Sequence, residues 1–163
     1  MINYQKLVDK IHFSSTASRF ITVCTYGRRC ILGSIKKYPT DKTPLWAPTP
    51  WGREVAKVTE YMSLAYVDVE IEHYIVMPNH VHMIINTTDD IDKKTNQFVL
   101  DWKSYTTKRM TRIEAPRHPF WNSDFEWEHL RNTSTYNTIS SCIRENPKRW
   151  RFDKYYSPSA NIT

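Results

Sequence analysis

The chain has 163 residues, of which 40% are hydrophobic and 25% are charged, and its formal net charge is +6 at pH 7. This length suits one domain with its own core, so residues 1–163 are interpreted as a single domain. The positive charge favours a polyanionic partner, although a solvated basic surface without a ligand would give the same charge.

The cysteines and the apolar runs bear on the compartment. The three cysteines form no CxxC pair, which argues against a disulfide framework or a cysteine zinc site and favours a reducing environment. The sequence has no apolar run long enough to cross a bilayer and no signal peptide at its start. We therefore expect a cytoplasmic protein with no membrane partner.

The first half of the chain predicts two strands, a loop and a helix. Arg19–Gly27 is rich in β-branched and aromatic residues and ends at a glycine, which indicates a strand followed by a turn. Tyr38–Pro50 contains four prolines and is expected to be a loop. Trp51–Tyr66 has apolar residues at helical spacing, whereas Val67–Met77 alternates apolar with acidic residues, as a half-buried strand does.

The second half completes an α+β pattern. A proline–asparagine turn leads into His80–Thr88, a second strand that is close enough to the first to form a hairpin. After a polar segment, Phe98–Ile113 predicts a helix and Phe120–Leu130 predicts a third strand or sheet edge. Asn132–Pro147 begins with cap-type residues and is expected to be a helix that ends at its proline. This order predicts a ferredoxin-like α+β domain, an antiparallel sheet with helices packed on one face.

Two histidines stand two residues apart just after the proline–asparagine turn. Residues i and i+2 of a strand point the same way, so His80 and His82 can converge on one cation while Val81 and Met83 face the core. Such a pair arises often by chance, and taken alone it favours a simpler interpretation. In that interpretation one histidine is a surface residue and the other is satisfied by a backbone partner.

Several motifs, in the same order along the chain, resemble those of one family. The segment HYIVMPNHVHMII resembles the histidine–hydrophobic–histidine (HUH) motif of the single-tyrosine HUH transposases, in particular the bacterial REP-associated tyrosine transposases. Phe20–Ile35 is similar to this family's first strand and Arg-bearing turn, and Phe98–Met110 is similar to its Lys-containing middle helix. Phe120–Asn132 is similar to its Trp-bearing block, and Cys142–Trp150 is similar to its closing Tyr-Ile-x-x-Asn-Pro segment. The resemblance covers most of the chain.

The resemblance implies a metal site with its HUH motif on a central strand. His80 and His82 would be the metal-binding histidines, and Asn146 would be the third ligand, one helical turn after the nucleophile position at residue 142. Two imidazoles and an amide can hold Mg²⁺ or Mn²⁺ with positions left open for phosphate oxygens. The family's tyrosine attacks single-stranded or hairpin DNA and forms a covalent phosphotyrosine intermediate. Because the family's short members work as dimers, we expect a homodimer.

At the nucleophile position this chain departs from the family, because Cys142 stands where the family has tyrosine. Cysteine is shorter by most of a phenol ring, so its sulfur would fall short of the contact of about 3–3.5 Å that in-line attack requires. Three accounts stay open: a homologue that has lost cleavage, a sequence altered at its nucleophile, and an enzyme that uses Tyr155 or Tyr156 instead. Tyr136 precedes Cys142 by six residues, and on a helix its side chain would face away.

Basic residues gather in three places, which predicts a surface for the DNA backbone. They follow the first strand, lie on the middle helix and follow the last helix: Arg28, Arg29, Lys103, Lys108, Arg109, Arg112, Lys148, Arg149 and Arg151. Trp102, Tyr105, Trp150 and Phe152 are interleaved with them and could stack on unpaired bases. For any one residue the simpler interpretation is that Trp102 and Trp150 belong to the core and that the charges aid solubility.

The sequence therefore favours a transposase-like protein that binds single-stranded or hairpin DNA, with its metal ligands intact and its cleavage compromised at Cys142. The alternative is a non-catalytic hairpin-DNA-binding module derived from a transposase, in which His80 and His82 are vestigial. A third interpretation is a metal-dependent hydrolase of a small phosphorylated substrate. It is disfavoured because the chain has only 3 glycines and no phosphate-cradling loop.

Overall fold

The structure is a computed structural model that describes residues 18–36, 44–87 and 91–158. Its strands and helices, in chain order, are β1 (Ser18–Cys24), β2 (Gly33–Lys36), β3 (Leu45–Pro48), α1 (Pro50–Ala65), β4 (Val69–Val76), β5 (His80–Thr87), α2 (Ile91–Thr111), β6 (Glu126–His129) and α3 (Thr133–Arg149). Single 3-10 turns follow β1 and α3, at Tyr26–Arg28 and Trp150–Phe152. No helix in the described ranges combines the length and apolarity needed to cross a membrane.

The main sheet has four antiparallel strands in the order β4-β5-β1-β6. β4 and β5 form the expected hairpin, and β5, which carries both histidines, lies inside the sheet between β4 and β1. In the register with β1, His80 pairs with Cys24 and His82 with Thr22. The predicted α+β class and antiparallel sheet are confirmed.

The helices cover both faces of this sheet. Alternate residues of β5, among them Val81, Met83 and Ile85, belong to the main core together with apolar residues of α1 and α2. Ile84 of β5 points to the other face, where it forms a second cluster with Leu130 and with Ile143 of α3. α1 and α2 thus share one face, as expected, whereas α3 lies on the opposite one. Burial on both faces explains why β5 is almost continuously apolar.

Three predicted boundaries are wrong. The proline-rich segment is not all loop, because Leu45–Pro48 pairs with Gly33–Lys36 in a two-stranded ribbon, where proline is tolerated; residues 37–43 of the surrounding segment lie outside the described ranges. α2 begins at Ile91, seven residues before the predicted start, because a polar first turn is compatible with an exposed helix end. Of the aromatic segment Phe120–Leu130, only Glu126–His129 forms a strand, at the sheet edge.

The last helix also differs from its prediction at one end. The side chain of Asn132 caps its start by accepting a hydrogen bond from the backbone N–H of Thr135, as the cap-type residues predicted. Pro147 does not stop the helix, which continues to Arg149. Proline has no backbone N–H, so one hydrogen bond is missing near the end of the helix. The loss of helix stability is smaller at this position than it would be in the centre of a helix.

The start of α1 depends on a glycine in close contact with the preceding chain. A Cβ atom on Gly52 would lie 1.9 Å from the backbone oxygen of Leu32. The two segments are held together by Thr49, whose N–H donates to that same oxygen and whose hydroxyl donates to the Ile31 carbonyl. Neither backbone can retreat without breaking these bonds.

We expect Gly52→Ala to lower the free energy of unfolding by about 1–3 kcal/mol, because backbone atoms would have to move apart. Urea unfolding followed by circular dichroism would measure the loss. Leu64→Ala, on the same helix at a side chain that is 76% exposed, is the control and should change stability by less than about 0.5 kcal/mol. Equal stability of Gly52→Ala and the parent would contradict the packing at this helix start.

Candidate functional site

The imidazoles of His80 and His82 face each other on the α3 side of β5. Their Nε2 atoms are 3.0 Å apart and their ring centroids 4.4 Å apart. His80 is fully buried, and His82 is 7% exposed. The two-residue period of the strand, together with burial beneath α3 and the chain that follows it, brings the rings together.

A hydrogen bond at each Nδ1 fixes how the rings are presented. The side-chain nitrogen of Asn79 donates to the carbonyls of Arg28 and Tyr155, so its Oδ1 must accept the 2.9 Å bond from Nδ1–H of His80. This leaves the Nε2 of His80 with a lone pair. The Nδ1 of His82 is 2.9 Å from the hydroxyl of Thr22, which can donate or accept. The Nε2 of His82 can therefore donate a hydrogen bond to the Nε2 of His80 or, in the other tautomer, present a second lone pair beside it.

Burial keeps both imidazoles neutral. Burial and, after it, the Lys154 ammonium lower the pKa of His82 from 6.5 to about 3, against an opposing effect of Glu126. The pKa of His80 also lies well below its usual value, first because of burial and then because of His82. A neutral imidazole is the form that binds a metal ion, so the pair is ready to act as a ligand at neutral pH.

A third group, which the sequence analysis missed, is the carboxylate of Asp153. Its Oδ2 is 3.7 Å from the Nε2 of His80, and one ligand atom each from His80, His82 and Asp153 lie within 4.8 Å of one another. Asp153 follows the 3-10 turn after α3, where no periodic pattern relates it to β5. Burial raises the pKa of this carboxyl group, whereas hydrogen bonds from the Tyr155 N–H and the Asn146 side chain lower it.

These donors, two imidazole nitrogens and a carboxylate oxygen, suit a divalent ion that accepts both nitrogen and oxygen ligands. Ligands at neighbouring corners of a Mg²⁺ octahedron are about 3 Å apart when each metal–ligand bond is about 2.1 Å. The 3.0 Å between the two Nε2 atoms is close to that spacing. Imidazole nitrogen and carboxylate oxygen are also a common donor set for Mn²⁺ and related metals. The residues present therefore fit the Mg²⁺ or Mn²⁺ that the resemblance implies.

A cleft of about 410 Å³ opens beside these groups. His82, Asp153 and Tyr155 line it together with Cys142 and Asn146 of α3. Cys142 is exposed, and it lines this cleft together with His82, so the residue at the family's nucleophile position and one histidine of the pair meet at the same cavity. Asn146 lines the same cleft as Asp153, and its side chain acts as a hydrogen-bond donor that lowers the pKa of the Asp153 carboxyl group.

Of the other tyrosines considered, Tyr155 lies at the site. Its ring centroid is 4.7 Å from that of His80, and its hydroxyl is enclosed. Burial raises the pKa of this phenol, the adjacent Lys154 lowers it and Glu126 raises it. Tyr156 packs edge-on against Trp150, and the hydroxyl of Tyr136 bonds to His73 on β4, away from Cys142.

Comparisons with known proteins agree on the fold. No family model matches the sequence. An uncharacterized protein of Haemophilus influenzae is 22% identical over 177 residues, covering 95% of this chain and 94% of the relative. The structure of the REP-associated tyrosine transposase bound to a REP hairpin matches with a TM-score of 0.56 and 18% identity, covering 94% of this chain and 77% of that chain.

The chain has the fold of the REP-associated tyrosine transposase. A crystal structure of a candidate transposase from Deinococcus radiodurans R1 matches as well, with a TM-score of 0.55 and 15% identity, covering 84% of this chain and 95% of that one. The fold that the sequence motifs implied is thereby confirmed. At these identities the likeness concerns the fold, and the chemistry must be argued from the residues themselves.

Within this transposase fold, four of the basic residues lie on or near the histidine side. Arg149 lines the cleft. Lys148, one residue before Arg149, and Arg151, two residues after it, are exposed. The guanidinium of Arg28 lies 5.2 Å from the centre of the Tyr155 ring and is exposed. Arg29 instead donates to the backbone carbonyls of residues 26 and 119, which ties two loops together.

The basic residues of α2 lie on the opposite side of the sheet from the histidines, because α2 packs on the other face. Lys103 is buried, and its ammonium donates to three consecutive backbone carbonyls, those of residues 122–124. Arg109 pairs with Glu54 at 2.9 Å, whereas Lys108 and, just after the end of α2, Arg112 are exposed. The ammonium of Lys103 is thus fully used inside the protein.

The aromatic residues divide in the same way. Trp102 and Trp150 are core residues, as the simpler interpretation had them. Tyr105 is 50% exposed on α2, and Phe152 is 87% exposed and lines the cleft. An exposed phenylalanine beside Arg149 and Arg151 offers stacking next to phosphate contacts.

We expect acid to destabilise the protein through the buried histidines. Unfolded histidines take up protons below about pH 6.5, whereas His82 resists protonation until about pH 3 when folded, so stability present above pH 6.5 is lost as the pH falls. The free energy of unfolding can be measured with urea in EDTA between pH 4 and 6.5 and plotted against pH. Its slope should be smaller in His82→Asn than in the parent by up to about 1.4 kcal/mol per pH unit. Identical slopes in the parent and variant would contradict neutral burial of His82.

Proposed function

We propose that this protein binds single-stranded or hairpin DNA as a transposase-like protein and holds Mg²⁺ or Mn²⁺ at the His80–His82 pair. The observation that carries the proposal is a pair of neutral imidazoles and a carboxylate beside an open cleft, in the fold of a transposase whose structure includes a REP hairpin. A histidine pair kept for packing alone would not need a cleft beside it lined by Cys142 and Arg149.

The metal site would be formed by His80 and His82 with an oxygen donor from Asn146 or Asp153. A bound Mg²⁺ or Mn²⁺ supplies Lewis-acid polarisation of a phosphodiester and offsets charge in the transition state. Thr22 and Asn79 orient the imidazoles through their Nδ1 atoms, as hydrogen-bonded partners of metal-binding histidines commonly do. The open side of the cleft leaves a route for a phosphate group.

The missing element of the cleavage chemistry is the nucleophile. Cys142 lines the cleft, but its side chain lacks the length of the phenol that the family places there. Tyr155 reaches the histidines, but its hydroxyl is enclosed by the protein and meets neither solvent nor an incoming phosphate in this arrangement. We therefore propose that the chain binds DNA and cleaves it weakly or not at all.

The DNA surface that we propose is the cleft rim formed by Arg28, Lys148, Arg149, Arg151 and Phe152. The four basic residues would contact phosphates, which positions the backbone without selecting a sequence. Phe152 would stack on an unpaired base, a contact that duplex DNA cannot offer without opening. The basic residues of α2 are left out of this surface because they lie on the other face of the sheet.

Restoring the nucleophile is the sharpest test of the proposed chemistry. We expect Cys142→Tyr, incubated with labelled hairpin DNA and Mn²⁺, to form at least about 100-fold more covalent protein–DNA product than the parent. A denaturing gel would measure it. Cys142→Phe adds the ring without the hydroxyl and should form none, and His80→Ala in the Cys142→Tyr background should remove the product while leaving most of the binding.

Two outcomes would redirect this proposal. Strong cleavage by the parent protein, lost on Tyr155→Phe, would mean that the tail rearranges to use a displaced tyrosine. Failure of Cys142→Tyr on every hairpin tested, with binding intact, would favour the second candidate function. That candidate is a non-catalytic hairpin-DNA-binding module, and the absence of a phenol at position 142 favours it.

The binding surface can be tested without metal. We expect Phe152→Ala to weaken binding to a hairpin with an unpaired loop by about 5- to 150-fold, the loss that one stacked base would give. Tyr105→Ala removes an exposed aromatic from the opposite face and should change affinity by less than about twofold. Fluorescence anisotropy at several salt concentrations would measure both variants. Equal effects of the two substitutions, or affinity that does not fall with salt, would contradict the proposed surface.

A further inference from the structure

We propose that Asp153, and not Asn146, is the third protein ligand of the metal, and that Asn146 is a positioning residue that orients the Asp153 carboxylate. This inference rests on the proposed metal site at His80 and His82, and it deepens that proposal by assigning the ligand. It departs from the expectation that the last helix supplies the third donor directly.

The hydrogen bonds of the carboxylate support this assignment. One oxygen, Oδ1, accepts a 2.7 Å bond from the backbone N–H of Tyr155. The other oxygen, Oδ2, is the atom that lies 3.7 Å from the Nε2 of His80. With Oδ1 held by the backbone, Oδ2 is directed at the histidine pair and is available to a cation.

The role of Asn146 follows from its contact. Its side chain lines the cleft together with Asp153, and it acts on that carboxyl group as a hydrogen-bond donor that lowers its pKa. An amide that donates to a ligating carboxylate fixes the orientation of that ligand, an arrangement that recurs around protein metal sites. A carboxylate is also the stronger ligand for Mg²⁺ or Mn²⁺, because it brings a negative charge that an amide oxygen lacks.

The assignment has a structural consequence for the chain after α3. Asp153 is joined to the helix by the turn Trp150–Phe152 and is followed by Tyr155, whose carbonyl accepts a hydrogen bond from Asn79. A metal bound by two β5 histidines and Asp153 would tie this tail to the sheet at a second point. Metal binding should therefore stabilise the backbone of residues 150–156, which a ligand on α3 alone would do less directly.

The test measures Mn²⁺ affinity by titration calorimetry in the full chain without DNA. We expect Asp153→Asn to weaken binding by more than about 100-fold and Asn146→Ala by about 10-fold, the loss that is usual for a residue that orients a ligand. Glu145→Gln is the control. It removes a carboxylate next to Asn146 on α3 and should change the Mn²⁺ affinity by less than about twofold. A loss in Asn146→Ala equal to or larger than that in Asp153→Asn would overturn the assignment.

A second measurement, made first on the parent protein, gives a result that does not depend on the folding of a variant. Hydrogen exchange of peptides covering residues 150–158 should slow on addition of Mn²⁺ in the parent protein and stay unchanged in Asp153→Asn. Mn²⁺ binding that leaves this exchange unchanged in the parent would overturn the proposal. If the parent bound no Mn²⁺, both this assignment and the proposed metal site would be wrong. The proposed DNA binding through Phe152 does not depend on metal and is tested by its own experiment.

Discussion

The side chain of Asn79 holds together the three parts of the molecule that form the site. It is fully buried, its amide nitrogen donates to the carbonyls of Arg28 and Tyr155, and its oxygen accepts from the Nδ1 of His80. Its backbone carbonyl accepts from the N–H and the hydroxyl of Thr25. One residue thus joins the turn after β1, the start of β5 and the tail after α3. An unsatisfied amide at this depth would cost about 1–3 kcal/mol for each lost partner.

The sheet separates stability from chemistry. The face covered by α1 and α2 carries the larger core, in which apolar side chains from three strands and two helices pack together. The opposite face has a smaller apolar cluster beneath α3, and the rest of that face carries the histidines, a threonine and the cleft. Because β5 is buried on both sides, its histidines are set on a rigid strand, which suits ligands that must keep a fixed separation.

The tail after α3 lies against the histidine pair and lines part of the cleft. Tyr155 lies against His80, and the Asp153 carboxylate is 3.7 Å from the Nε2 of the same histidine. The two residues belong to one short segment, so any movement of that segment would change the proposed metal ligation and the access to the cleft together. Cys142 lines the open cleft beside this segment. For the proposed function, this arrangement would favour binding of DNA over its cleavage, since phosphate contacts need positive charge at the rim whereas cleavage needs a hydroxyl at the metal.

The sequence by itself determined the features that depend on short-range geometry. The β4–β5 hairpin, the shared face of His80 and His82 and the Asn132 cap follow from periods of two residues and from local hydrogen bonds. Tertiary structure alone decided which carboxylate meets the histidines and which side of the sheet α3 covers. No pattern relates Asp153 to a strand about seventy residues earlier, and Pro147 suggested a helix end where the helix continues. Contacts between distant segments depend on how the chain reverses in space, and local sequence periods carry no information about that.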